Sequence, residues 1–162
     1  MATYLYLQTQ KWNPLSIGIR FITRGIWSHA GIFSDKNIAK PFLSAQGLGV
    51  KWRKQDKKAK MLFFKVPNID KVLAAMESQV GKPYDFGAIF GILLDRDWRD
   101  TSKWFCSELV AWACEQAGTP LLNTNFQLNR VFPNLLGASL EVQLLTEEEK
   151  KALPAEVKKW AV

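Results

Sequence analysis

The sequence predicts an α+β protein in which strands come first and helices follow. Three observations carry this. Up to Pro67 the apolar segments are short, rich in β-branched and aromatic residues, and separated by turn signals. After Pro67 the apolar spacing changes from two to three and four. The strongest helical pattern, residues 105–117, is closed by Gly118 and Pro120. Strands followed by helices favour segregated elements over alternating βαβ units. At 162 residues, a single domain over 1–162 is expected.

Residues 3–8 (TYLYLQ) read as the first strand. Residues 17–23, largely apolar and β-branched with Gly18 and Gly25 near the ends, read as a second. Residues 28–33 (SHAGIF) form a third, ended by the turn signal Ser34-Asp35-Lys36-Asn37. Short strands at 41–45 and from Val50 flank the turn Gly47-Leu48-Gly49, and MLFFKV at 61–66 makes another strand stopped by Pro67. Residues 69–80 place Val72, Leu73, Met76 and Val80 on one helical face, with Asp70 in the first turn and Gly81 at the end. Residues 84–94 are apolar with helical spacing, and 95–103 form a charged loop containing Trp98. Thr101 or Ser102 is expected to cap the helix at 105–117. Beyond it, a helical turn at 133–136, a strand at 142–144, a helix start at Thr146 and a Lys-rich amphipathic end are expected.

Composition narrows the function classes. Hydrophobic residues make up 48% and charged residues 23%, an ordinary globular balance. The longest apolar run is far shorter than a membrane span and is broken by glycine. The N-terminus lacks the basic start, apolar middle and small-residue cleavage site of a signal peptide. A cytoplasmic location is therefore the expectation, with release by another route left open. The formal net charge is +7, and Lys51, Arg53, Lys54, Lys57, Lys58 and Lys60 hold much of it. Lys51 to Lys60 is read either as a patch for an anionic surface or as a solvated hairpin turn. No nucleic-acid motif accompanies it.

Two residues could carry chemistry. Cys106 heads the strongest helix, where unsatisfied amide N–H groups and the dipole favour a thiolate and could hold an oxyanion. The other reading is a small core hydrophobe. Cys114 lies eight residues on, about 12 Å along a helix axis, too far for a disulfide, and reads as core. His29 is the only histidine, and imidazole is the commonest general base. Two cysteines without CxxC spacing and a single histidine do not make a structural metal site, so no metal or other cofactor is expected.

The runs Trp27-Ser28-His29-Ala30-Gly31-Ile32-Phe33, Gly81-Lys82-Pro83-Tyr84-Asp85-Phe86 and Trp104-Phe105-Cys106-Ser107-Glu108-Leu109-Val110 resemble the permuted NlpC/P60 superfamily. They are closest to its YiiX-like and lecithin:retinol acyltransferase-like branch, in which the histidine strand precedes the cysteine helix. Pro133-Asn134-Leu135 resembles a short Pro-containing segment after that helix. The resemblance spans about 25 to 136 and implies a small antiparallel β-barrel or curled sheet packed on the cysteine helix, a circularly permuted papain-like fold.

The resemblance also implies a mechanism. His29 takes the Cys106 proton, and the thiolate attacks an amide, ester or thioester carbonyl to form an acyl-enzyme. The backbone amides of Cys106 or Ser107 would help hold the oxyanion. Tyr84 either lines the site or is a packed aromatic, and Asp85 is read as a helix cap. The third member is a polar residue on the strand after the histidine: Ser44 stands at the matching place, and Gln46, two residues on, is favoured as the group that orients the imidazole. A hydrolase of cell-wall peptides, or of lipid amides or esters, leads. A binding module for an anionic surface and a thiol acyltransferase are the alternatives.

Overall fold

Leu5 and Leu7 alternate with Tyr4, Tyr6 and Gln8 along β1 (Thr3–Gln10), so one strand feeds two cores on opposite faces of a sheet. The computed structural model describes residues 2–54, 59–87, 102–123, 131–158 and 161. Among them, β1 is joined by β2 (His29–Ser34), β3 (Phe42–Ala45), β4 (Val50–Arg53), β5 (Ala59–Lys65) and β6 (Gln143–Leu144). The six strands form one antiparallel sheet in the order β4-β3-β2-β1-β5-β6.

The first core lies under α2 (Ile69–Glu77), α3 (Cys106–Gln116) and α4 (Pro133–Gly137). It joins Leu5, Leu7, Ala30, Ile32 and Leu43 to Val72, Met76, Leu109, Val110 and Leu136. The second joins Tyr6, Phe33, Phe42 and Phe63 to Leu145, Leu153 and Val157, from the tail that carries α5 (Glu147–Ala152) and α6 (Ala155–Lys158). Because both faces are covered, every residue of β2 and β3 is buried.

The sheet is curled but not closed, so the barrel alternative does not hold: β4 and β6 are its two edges. The curl follows from chain length. The β4 end pairs at the level of Phe42, while β5 begins opposite Gln10 at the other end of β1. On a flat sheet those points lie about 28 Å apart, whereas the connecting residues reach about 22 Å at most. The same order corrects the hairpin reading of Lys51 to Lys60, since β4 and β5 are not neighbours. Arg53 leaves that basic patch, turning inward to donate to the Gln46 and Gly49 carbonyls at 2.5 and 2.7 Å. Lys57 and Lys58 lie outside the described residues.

Residues 17–23 are not a strand but the body of α1 (Pro14–Thr23). The Asn13 side chain accepts from the Ser16 amide at 3.1 Å, Pro14 sets the first helical φ, and Arg24 closes the helix in the left-handed region. The helix expected over 69–80 stops at Glu77, leaving Val80 exposed. The cap of α3 is neither Thr101 nor Ser102: Phe105 holds the cap position, and its amide donates to the Glu108 carboxylate at 3.5 Å. Of the apolar segment 84–94 only the start is described, and Trp98 lies outside.

Candidate active site

Three links bring the motif segments together. Val50 donates to the Lys82 carbonyl at 2.8 Å and Gly81 donates to Val50 at 2.9 Å, fixing the Gly81-Lys82-Pro83-Tyr84 run against β4. Gly49, at φ 99°, lies so close to the Lys82 carbonyl that a Cβ there would overlap it. Asp85 then donates to Trp104 at 3.0 Å and Trp104 to Pro83 at 3.1 Å, a parallel bridge that places Tyr84 beside the start of α3. The third link sits before β2. Asn134, on α4, accepts from the Trp27 amide at 3.1 Å and donates to the Trp27 carbonyl at 3.0 Å. Gly25 leaves no room for a Cβ against the Asn134 side chain.

Cys106 is the first residue of α3 and 1% exposed. Burial pushes its thiol up from 9.0 to about 12. The amides of Ala30, Ser107 and Cys106 itself pull it partly back. The Ala30 amide belongs to the peptide that joins it to His29, so the nucleophile's helix meets the base's strand at that peptide. The Ser107 hydroxyl donates to the Val131 carbonyl at 2.6 Å, holding the turn in place. Cys114 is buried mid-helix as expected, its thiol likewise raised to about 12 by burial and then by Glu115.

The His29 imidazole packs against Tyr6, whose hydroxyl feels the Cys106 charge. Alternation along β2 puts His29 and Ala30 on opposite faces. Ala30 shares the core of Cys106, while the imidazole lies 6.1 Å from the Tyr6 ring. Its Nε2 is buried without a hydrogen-bond partner, and no hydrogen bond joins it to the thiol. Burial, then the Arg53 charge, lowers it from 6.5 to about 3, so the imidazole rests neutral.

Ser44 sits on the same face as Tyr6 and is fully buried. Both crowd Gly31: a Cβ there would lie 2.7 Å from the Tyr6 hydroxyl and 2.8 Å from the Ser44 Cβ. β3 ends at Ala45, so strand alternation does not aim Gln46, which opens the turn to Gly49. Gln46 nevertheless lines a cleft together with His29, Ser28, Gln8 and Tyr84. Neither Ser44 nor Gln46 hydrogen-bonds the imidazole.

Tyr84 is buried, its ring 6.0 Å from that of Phe105. Burial raises its hydroxyl well above 10.0, and the Cys106 and Asp85 charges raise it further. Sequence reasoning missed Arg53, Tyr6 and Asn134 as parts of this site. Asn134 carried one signal, a polar residue inside the apolar run from Val131 to Leu136.

No family model matches the sequence, and a search of curated proteins finds no match. Solved structures do match in three dimensions. One is the crystal structure of metalloprotein yiiX from Escherichia coli O157:H7, DUF1105, with a TM-score of 0.67 and 18% identity, covering 90% of this chain and 96% of that one. The fold is that of YiiX. The YiiX-like fold therefore spans most of the chain.

Proposed function

We propose that the chain is a cysteine hydrolase of the permuted NlpC/P60 kind, with Cys106 as nucleophile and His29 as base. The observation that carries the reading is the start of α3, where three amides gather at one sulfur beside the His29–Ala30 peptide. Such donors stabilise a thiolate and the oxyanion that follows attack. At rest both groups are neutral and unjoined, so activity requires that substrate bring the imidazole to the sulfur. The Cys106 Sγ then bonds to the carbonyl carbon, the Cys106 proton passes through His29 to the leaving amine or alkoxide, and water hydrolyses the thioester. Tyr84 and Gln46 line the approach, with Gln46 or Ser44 left to orient the ring. Amides of cell-wall peptides are the first substrates to test, lipid amides or esters the second.

The YiiX of the comparison is described as a metalloprotein. The donors here do not fit that chemistry. The chain has one histidine, and among the described residues no three His, Cys, Asp or Glu side chains stand together, so no step passes through a metal.

The absent His29–Cys106 hydrogen bond favours a second reading, a binding protein that keeps the fold without turnover. Intact-mass detection of an acyl adduct on Cys106, after exposure to activated esters and peptide amides, separates the two. An adduct that water resolves supports the hydrolase, and one resolved only by an added amine supports acyl transfer. An inert Cys106 overturns both in favour of binding.

A further inference from the structure

Helix α1 turns an apolar edge outward that neither core covers. Ser16 and Ile19 face the protein, while Pro14, Ile17 and Phe21 recur at helical spacing on the exposed side. Phe21 is 85% exposed, and the edge continues past both ends of the helix through Trp12 at 79% and Ile26 at 67%. Scattered apolar residues on a surface are ordinary, but large aromatic and aliphatic side chains gathered on one short segment mark an interaction site.

The charges around this edge indicate what covers it. Residues 11–26 contain Lys11, Arg20 and Arg24 and no Asp or Glu. Lys11 and Arg24 are exposed and flank the apolar residues at either end, and the Lys11 ammonium lies 5.5 Å over the Trp12 ring. Apolar side chains collared by cations, with Trp at the boundary, suit the interface of an anionic bilayer, where rings enter the acyl boundary and cations meet headgroups. The chain's +7 charge adds long-range attraction. No described helix is long and apolar enough to cross a membrane, so the contact would be peripheral.

We propose that α1 and its flanks dock the protein on anionic lipid, with Trp12, Phe21 and Ile26 inserted at the interface. Leu15 and Ser16 of the same helix line the cleft that contains His29, so docking sets the cleft beside the lipid surface. The inference stands apart from the hydrolase reading: Cys106→Ala is expected to dock as the native chain does.

The test is co-sedimentation of the full chain with vesicles of phosphatidylcholine and phosphatidylserine, against phosphatidylcholine alone. Binding to the anionic vesicles that weakens with salt is expected. Trp12→Ser/Phe21→Ser/Ile26→Ser should lose partitioning by about tenfold or more with circular dichroism unchanged. Lys51→Gln/Lys54→Gln/Lys60→Gln, on the other basic segment, should lose much less. Three results would overturn the proposal: no binding by the native chain, equal binding by the triple-serine variant, or a concentration-dependent dimer that this variant dissolves without any vesicle affinity.

Discussion

The two cysteines of α3 occupy one helix, are equally buried, and are pushed to the same thiol range, yet their settings differ. At the first turn, three amides oppose the effect of burial around Cys106. In the third turn, nothing opposes it around Cys114, and the Glu115 charge adds to it. Burial alone therefore does not separate a reactive thiol from an inert one. What separates them is the set of donors that remain to stabilise a charge once water or substrate opens the site.

That contrast can be broken most directly by exchanging the two roles. Cys106→Ala is expected to abolish adduct formation and lower turnover by about 10³-fold or more. Cys114→Ala should keep full activity and cost about 1 kcal/mol of stability in a denaturant melt. An adduct on Cys114 would reverse the assignment. Next in size, His29→Ala should slow acylation of Cys106 at neutral pH by about 10²-fold or more while leaving Cys114 alkylation unchanged. Equal effects on both thiols would point to general loosening instead.

Acid tests the buried imidazole itself. Its folded value, about 3, lies below the unfolded 6.5, so the unfolded chain binds the extra proton between them. The contribution to stability is complete above 6.5 and is lost as pH falls towards 3. Over that window the unfolding free energy should drop by about 5 kcal/mol, and His29→Phe should remove that part of the slope. A slope unchanged in His29→Phe would place the imidazole in water. A further effect is expected where Asn134 holds Trp27. Asn134→Ala should destabilise by about 1–3 kcal/mol, because it strands the polar groups of Trp27. It should also slow Cys106 acylation more than Cys114 alkylation, which a purely global loss of stability would not do.

The period of three and four made α2 and α3 legible, and runs of strand formers bounded by turn signals made β1, β2 and β5 legible. α1 was misread because Ile17, Ile19, Ile22 and Thr23 favour strands by composition, while the deciding signal was the two-residue cap Asn13-Pro14. Cys106 and His29 stood out as chemical types in motif-like surroundings. Their facing did not, because β2 is buried on both sides and its sequence gives no solvent face to orient it. The Arg53 guanidinium, Asn134 and the strand order depend on contacts between distant segments, which local spacing does not encode.

The bridge between Tyr84 and Trp104 has a consequence for how this scaffold can vary. It fixes the chain at two points, so Tyr84 and the start of α3 are held together by the bridge itself. Lengthening a flexible chain between two fixed points adds only about 0.6 kcal/mol of closure cost per doubling. A change of length between Tyr84 and Trp104 is thus expected to leave Cys106 where it is, so the bridge lets sequence vary around one fixed nucleophile.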